Sequence, residues 1–181
     1  MKAQPKIDLY KLHQSEYAAT RKPALVEIKA ATYLAIAGQG APGGERFTAS
    51  IGALYGVAYT IKMTRKFAGQ QDYAVGKLEG QWWGESAQSL AKLAPEQWHW
   101  KLLIRTPEFI GAKDLRRAVG VLLKRGRGED VKRVGLEVLA EGRCVQMLHV
   151  GPYEKEPEAV AVMKAFAEKH LPGRGISGPQ P

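Results

Sequence analysis

The chain contains little cysteine, since Cys144 is the one such residue among 181. A single thiol excludes an intramolecular disulfide and any metal centre that is built from several cysteines. Because Cys144 stands in the apolar run 144–150, we interpret it as a buried core thiol. The four histidines show no spacing that is typical of metal ligands, and we predict neither a metal nor a cofactor.

Long apolar segments are also lacking. No run approaches the roughly 20 consecutive apolar residues that a membrane-spanning helix needs. The first residues, Met-Lys-Ala-Gln-Pro-Lys, contain no apolar signal core. The sequence therefore predicts a cytoplasmic protein that makes no membrane contact. Its hydrophobic content of 45% is sufficient for a packed globular domain and argues against a disordered chain.

Motifs that identify common catalytic centres are absent as well. The chain contains no G-x-S-x-G nucleophile elbow and no phosphate-binding P-loop. The glycine-rich run 38–44 does match the dinucleotide pattern G-x-G-x-x-G. We reject a dinucleotide site because Pro42 removes an N–H donor from the loop that would hold phosphate, and because the next strand brings no acid for a ribose hydroxyl. Residue spacing alone therefore assigns no reaction.

Acidic residues are outnumbered by basic ones, and the net charge of +9 favours anionic partners. The segment 113–133 concentrates this excess, with eight basic residues against three acidic ones and hence a local balance of +5. No aromatic residues interleave with these charges, and no recognition-helix motif is present. A solvated basic face is therefore favoured over a nucleic-acid site.

Apolar periodicity and turn residues predict an alternation of strands and helices. The predicted elements are a strand over 24–37 that bends near Ala30 and Ala31, a helix Glu45–Lys66, a strand Tyr73–Leu78 followed by a turn at Glu79 and Gly80, a strand Trp98–Arg105, a helix Gly111–Lys124, a hairpin of Val134–Val138 with Cys144–Val150, and a helix Glu154–His170. Helices are too few for a doubly wound sheet, so this order favours an α+β fold with antiparallel sheets.

Aromatic residues are concentrated in the stretch Asp72–Trp83, which we predict to be one wall of a small-molecule site. Tyrosine and tryptophan suit such a wall because each combines a large apolar face with one directed hydrogen bond. Trp82 and Trp83 are adjacent in a strand and point to opposite faces, so only one of them faces a given cavity. Tyr55 and Tyr59 share a helix face, for which pocket lining and packing at the edge of the core are equal alternatives.

Several stretches of the chain resemble, in register, the GyrI-like small-molecule-binding family, which is related to the effector-binding domains of multidrug-sensing transcription activators. They are residues 47–63, 72–83, 104–109 and 144–157. The match runs from about Pro23 to His170, and we assign residues 23–181 to this domain. No helix-turn-helix segment precedes the match, so we expect a stand-alone ligand domain.

The resemblance implies two strand-helix-strand-strand modules that are related by a pseudo-twofold axis, with a ligand cleft between them. Residues 1–22 would then form an N-terminal arm, 23–106 the first module, 107–130 a linking helix and 131–181 the second module. The family's last strand, His-x-Glu-Ile-Tyr-Leu-Ser-Asp, has no counterpart before Pro181. We therefore expect the second module to be incomplete, with an open sheet edge that favours a homodimer.

Members of this family bind bulky aromatic or cationic small molecules, so the resemblance implies sequestration or detoxification of such ligands. The side chains expected to contact the ligand are Tyr55, Tyr59, Tyr73, Trp82, Trp83, Phe109, His149 and Tyr153. Some stand-alone members are similar to hydrolases that open the cyclopropane ring of DNA-alkylating natural products. In that alternative, Tyr73 donates a hydrogen bond to the dienone oxygen of the substrate. The missing glutamate base leaves enzymatic activity open, and a gyrase- or nucleic-acid-interacting protein is the third alternative.

Overall fold

The computed structural model describes residues 5–84, 90, 93–152 and 155–171. Over these residues the fold is α+β with antiparallel sheets, which confirms the predicted class. The strands are β1 Ala24–Ile28, β2 Ala31–Gln39, β3 Leu78–Trp83, β4 His99–Arg105, β5 Gly135–Leu139 and β6 Gly142–Gln146. The helices are α1 Leu9–Leu12, α2 Gln14–Tyr17, α3 Glu45–Phe67, α4 Ala112–Lys124 and α5 Glu156–His170, with 3₁₀ turns at Pro95–Gln97 and Glu129–Arg133. Within the described ranges, no helix has both the length and the apolar composition that a membrane crossing requires.

The chain divides into two compact units, which are described separately. The first contains the residues up to Leu12 and Ala31–Leu139. The second contains His13–Ala30 and the residues from Ala140 onward. Strands β2 to β5 and helices α3 and α4 therefore belong to the first unit, and β1, β6 and α5 belong to the second.

The first unit is built on a four-stranded sheet in the order β3-β4-β2-β5. One face of this sheet packs against α3 and α4. The face of α3 that carries Leu54, Ala58 and Ile61 is buried there, as the spacing of these residues predicts. The sheet contributes Leu34, Ile36, Trp100, Leu102 and Ile104 to the same core.

The Trp100 ring packs so closely against the neighbouring strand that only glycine fits opposite it. The residue is fully buried and pairs with Gly38 of the neighbouring strand. A Cβ atom at Gly38 would overlap the indole ring, so glycine is required where the ring approaches the backbone.

The second unit is a two-stranded sheet with one long helix. β1 and β6 pair antiparallel, from Ala24 with Gln146 to Ile28 with Gly142. The Gln146 side-chain amide donates a 2.9 Å hydrogen bond to the carbonyl oxygen of Glu16 and so connects the sheet to α2. α5 has a proline and two glutamates in its first turn, where both residue types favour a helix start.

The predicted strand over 24–37 is bent as expected, and the bend separates two strands of different sheets. β1 pairs with β6, whereas β2 pairs with β4 and β5. The two alanines at the bend were the sequence signal for this break. The predicted helices begin and end within two residues of α3, α4 and α5.

The prediction of a strand at Tyr73–Leu78 with a turn at Glu79 and Gly80 is wrong. β3 starts at Leu78 and continues through both supposed turn residues to Trp83, in antiparallel pairing with β4. Tyr73 makes only an isolated bridge to Ile7. Glycine at position 80 makes room for a neighbouring side chain, because a Cβ atom there would lie 3.1 Å from Nε1 of Trp82.

The predicted hairpin of Val134–Val138 with Cys144–Val150 is also wrong. β5 pairs with β2, and β6 pairs with β1, so the two consecutive strands lie in different sheets. Regular pairing of β6 ends at Gln146. Beyond it, the Leu148 N–H donates a 2.7 Å hydrogen bond to the Thr20 carbonyl oxygen. The residues between β5 and β6 resemble a hairpin turn locally, but long-range partners decide the pairing.

Candidate functional site

Ionisable residues alternate with apolar ones along β4. His99, Lys101 and Arg105 alternate with Trp100, Leu102 and Ile104. The apolar set belongs to the core under α3 and α4. Because successive side chains of a strand point to opposite faces, the ionisable set lies on the other face of the sheet. β4 lies between β3 and β2, so these ionisable side chains lie within the face of the sheet and not along its edge.

The strand register shows which residues share that second face, which we call the polar sheet face. Its polar and aromatic members are Tyr33, Gln39, Glu79, Gln81, Trp83, His99, Lys101, Arg105 and Glu137. Its other members are the small residues Ala31, Ala35, Ala37 and Gly135 and the leucines Leu103 and Leu139. The face thus combines charged and aromatic groups with small side chains on β2.

Lys101 and Glu137 form an ion pair on the polar sheet face. Nζ of Lys101 lies 2.9 Å from Oε2 of Glu137. The pair connects β4 with β5 diagonally across β2, because Lys101 is opposite Ala37 and Glu137 is opposite Tyr33, with Ala35 between these two positions. The Lys101 side chain is 12% exposed and that of Glu137 is 38% exposed, so the carboxylate is the more accessible partner.

Trp83 and His99 are stacked on the same face. They are directly opposite each other in the β3–β4 register. Their ring centroids are 5.9 Å apart and their planes are inclined by 18°. The pair presents a flat aromatic surface at the end of the sheet where β4 begins.

Tyr73 lies on the opposite, helix-facing side of the first unit. It is 2% exposed and belongs to the core cluster. Its hydroxyl is buried and has no hydrogen-bond partner among the described residues. Burial raises the pKa of this hydroxyl from 10.0 to about 12, and the nearby Thr106 hydroxyl and Arg65 offset only part of the rise. The group therefore remains protonated at neutral pH and retains an unused donor.

Phe109 covers Tyr73, and Arg65 covers Phe109. The Tyr73 and Phe109 rings make an edge contact with centroids 6.0 Å apart. The Arg65 guanidinium lies 4.5 Å from the centroid of Phe109 and 3.4 Å from Oδ1 of Asp114. Phe109 itself is 38% exposed, so this stack leads from the surface to the Tyr73 ring.

Asp72 fixes the backbone next to Tyr73. Its Oδ1 lies 3.1 Å from Nζ of Lys62 and accepts a 2.9 Å hydrogen bond from the Tyr73 N–H. The hydrogen bond from Lys62 is the main reason that the pKa of Asp72 is lowered. Lys62 is only 9% exposed, and the carboxylate compensates its buried charge.

The tyrosines of α3 and the tryptophan Trp82 pack locally. Tyr55 and Tyr59 stack with centroids 6.1 Å apart, and Tyr59 is 53% exposed. Trp82 contacts Phe47 at 5.5 Å and Trp98 at 6.1 Å, both measured between ring centroids. Trp82 packs against the helix-side core and Trp83 lies on the polar sheet face, so the prediction that they point to opposite faces is confirmed.

His149 belongs to the second unit. Its Nε2 lies 3.0 Å from the Pro152 carbonyl oxygen, and the ring lines an open groove of about 320 Å³ with Arg21, Lys155 and Glu158. Tyr153 lies outside the described residues.

The structure therefore brings Tyr73 and Phe109 together and, separately, Tyr55 and Tyr59. It does not arrange the stretch Asp72–Trp83 as one wall, because Tyr73 and Trp83 lie on opposite sides of the sheet; their roles as ligand contacts stay predictions.

Most members of the polar sheet face are not among the site residues that the sequence predicts. They are Tyr33, Glu79, His99, Lys101, Arg105 and Glu137. The signal was present in β4, where ionisable residues recur at every second position apart from Leu103. Only the apolar half of this alternation was interpreted. Glu79 was missed because the Glu-Gly pair was assigned to a turn. No group of three or more potential metal-ligating side chains is present in the part of the chain that the structure describes.

No family model and no curated protein matches the chain. Solved structures do match it. An uncharacterized conserved protein from Listeria innocua is 36% identical with a TM-score of 0.86, and the match covers 96% of this chain and 86% of that one. A hydrolase from the same organism is 36% identical with a TM-score of 0.83, over 92% of this chain and 82% of that one. Another structure of a Listeria innocua hydrolase is 35% identical with a TM-score of 0.83, over 96% and 85%.

Proposed function

We propose that this chain, which belongs to the same family as these Listeria innocua proteins, binds bulky aromatic or cationic small molecules on its polar sheet face. The observation that carries the proposal is the shared position of Glu79, Glu137 and the Trp83–His99 stack on one face with several alanines. We further propose that the family is the GyrI-like small-molecule-binding family, whose motifs the sequence resembles.

The chemistry of the polar sheet face suits a flat cation. A carboxylate supplies the opposite charge, and Glu137 is the more exposed member of its ion pair. A tryptophan face attracts both aromatic rings and cations. Ala37 is exposed and leaves space above β2 for a ligand ring, whereas Ala35 is buried beside Tyr33 and Leu103.

Binding is tested by calorimetric titration with a planar cationic dye and with a neutral dye of the same shape. Glu137→Gln is expected to weaken binding of the cationic dye several-fold and to leave the neutral dye unaffected, because an accessible ion pair contributes up to about 1 kcal/mol. Trp83→Ala is expected to weaken both dyes.

The chain offers matched controls for both variants. Val138 follows Glu137 in β5, points to the other face and is 71% exposed, so Val138→Ala should bind like the wild type. Phe67 at the end of α3 is 80% exposed, and Phe67→Ala should likewise have no effect. An absence of heat with either dye, or equal losses in Glu137→Gln and Val138→Ala, would contradict the proposal.

The second candidate function is hydrolysis, which is supported by the relatives that are named hydrolases. In the cyclopropane-opening reaction, water attacks a ring carbon, one C–C bond breaks, and its electron pair moves to the dienone oxygen, which becomes a phenolate. A carboxylate takes the proton from water, and a hydrogen-bond donor stabilises the phenolate. Tyr73 is the predicted donor. Glu79 and Glu137 lie on the polar sheet face, on the other side of the sheet from Tyr73, so neither is assigned as the base that acts with it.

The burial of Tyr73 sets a condition for this reaction. A substrate oxygen reaches the Tyr73 hydroxyl only if the residues that bury it move aside. Incubation with a cyclopropane-bearing alkylator and mass spectrometry of the product tests the activity. Tyr73→Phe should lower the rate at least tenfold, with Val138→Ala as the control. Unchanged substrate with the wild-type chain would exclude hydrolysis without affecting the binding proposal.

A further inference from the structure

The exposed side of α4 carries a line of basic residues. Lys113, Arg116, Arg117 and Lys124 are separated by three, one and seven positions and are all exposed. At 100° per residue, these positions fall within about 100° of one another around the helix axis. We call these four residues the basic stripe. The opposite side of α4 buries Ala118 and Leu122 in the core, so the orientation of the stripe toward solvent is fixed by packing.

The acidic residues of this region are already paired with other partners. Asp114 contacts Arg65 of α3 at 3.4 Å and also accepts a hydrogen bond from the Gly111 N–H. Glu129 contacts Lys132, and Asp130 contacts Arg133 at 2.9 Å. Among the described residues, none of the four stripe side chains has an ion-pair partner. The local balance of +5 subtracts these three carboxylates from the basic residues, although each of them is paired with a cation outside the stripe. The four positive charges of the stripe are therefore not neutralised by them.

The chain turns back directly after α4 and places two further cations near the C-terminal end of the stripe. Gly126 has a φ of +69°, and the Arg127 N–H donates a 3.1 Å hydrogen bond to the Leu122 carbonyl oxygen. This arrangement is typical of a helix that ends in a left-handed glycine and turns the chain back. Arg125 and Arg127 are both exposed on either side of that glycine.

We propose that the basic stripe binds the sugar-phosphate backbone of a nucleic acid. From Lys113 to Lys124 the stripe is about 17 Å long at 1.5 Å per residue. Each strand of a duplex carries one phosphate per about 3.4 Å of helix axis, so the length of the stripe corresponds to about five base-pair steps. The sequence alone favours a solvated face, because it does not show that Asp114, Glu129 and Asp130 are paired with other cations.

The geometry favours nucleic acid over an anionic membrane. Basic helices that bind membranes also insert large apolar side chains between the charges. No exposed large apolar residue lies in α4 among those the structure describes. The stripe is also a single line of charge, which follows a phosphate backbone more closely than a flat lipid surface. This proposal is independent of the ligand site on the polar sheet face.

Fluorescence anisotropy with a labelled 20-nucleotide duplex and with the matching single strand tests the proposal across a series of salt concentrations. With four phosphate contacts, the slope of log K against log salt should be about −4 for the duplex and about −3 for the single strand. Arg116→Gln with Arg117→Gln should reduce the magnitude of the slope by about 2. Lys113→Gln with Lys124→Gln provides a second, independent double variant.

The matched control removes the same charge elsewhere. Lys164 and Lys169 are exposed on α5, and Lys164→Gln with Lys169→Gln should leave affinity and slope nearly unchanged. Equal losses in the control and the stripe variants would overturn the proposal in favour of net charge alone. Absence of binding at 20 mM salt, or binding to phosphatidylserine vesicles without binding to either oligonucleotide, would also overturn it. Circular dichroism and thermal melting verify that each variant is folded.

Discussion

Lys101 and Glu137 meet at 2.9 Å although their strands, β4 and β5, are separated by β2. The contact runs diagonally, from the level of Ala37 to that of Tyr33 on β2, and the small Ala35 lies between these two positions. The pair places one carboxylate and one ammonium in the middle of the polar sheet face. A cationic ligand that binds Glu137 must therefore compete with Lys101.

Lys101→Met should strengthen binding of a planar cationic dye several-fold, because Glu137 then loses its internal counter-charge. The thermal stability should change little, since a partly exposed ion pair contributes about 1 kcal/mol or less. Titration calorimetry checks the affinity. Lys164→Met on α5 removes the same charge from an exposed site and serves as the control. An equal gain in both variants would mean that net charge, and not the ion pair, limits binding.

Gly38→Ala should destabilise the first unit by about 1–3 kcal/mol, because the new methyl group overlaps the buried Trp100 ring and forces the core to shift. Urea unfolding, followed by tryptophan fluorescence, measures the loss. Gly52 provides the opposite case in α3, where a Cβ atom meets nothing within 4 Å. Gly52→Ala should stabilise the protein by about 1 kcal/mol through helix propensity. Similar effects of the two substitutions would contradict the packing described for Trp100.

Tyr73→Phe should reduce the decrease in the free energy of unfolding that the protein undergoes at alkaline pH. Burial raises the pKa of the Tyr73 hydroxyl from its usual 10.0 to about 12, so the protonated form is favoured in the folded state. The stability that this provides is complete below about pH 10 and decreases as the pH rises toward 12, by up to about 1.4 kcal/mol per pH unit. Urea unfolding at a series of pH values, with Tyr59→Phe as an exposed control, measures the difference. Parallel curves for the wild type and Tyr73→Phe would show that this hydroxyl is not desolvated.

The Cys144 thiol should react slowly in the folded protein. Burial is the main cause that raises its pKa from 9.0 to about 11, and the carboxylate of Glu141 adds to the rise. Because the thiolate is the reactive form, the native thiol at pH 8 should react about 100-fold more slowly than the same thiol in the unfolded chain. Rates of alkylation by iodoacetamide, measured with and without guanidinium chloride, provide the comparison. Equal rates in both conditions would indicate an accessible thiol.

The helices could be predicted because their signals are local. The spacing of Leu54, Ala58 and Ile61 identifies the buried face of α3, and a proline with flanking glutamates marks the first turn of α5. Such signals depend on neighbours three or four positions away, which any helix brings together. The opposite orientation of Trp82 and Trp83 was predictable for the same reason, since strand geometry alone requires it.

The candidate site was predicted only in part. Trp83 was assigned to a pocket wall from its residue type, and the structure places it on the polar sheet face. Glu137 carried no comparable signal, because nothing in its neighbourhood along the chain indicates that Lys101 will lie 2.9 Å away. Tyr73 was assigned to the same wall as Trp83, but the isolated bridge to Ile7 holds it on the other side of the sheet.

The sequence by itself determined the α+β class, the positions of the three long helices and the apolar face of β4, because these depend on composition and short-range periodicity. Only the tertiary structure decided which strands pair. β5 joins β2 and β6 joins β1, although local turn residues favoured a hairpin between β5 and β6. Pairing depends on contacts between distant residues, whose combined burial outweighs a turn preference. The same long-range pairing creates the polar sheet face, and the packing of α4 on the core turns its basic stripe toward solvent.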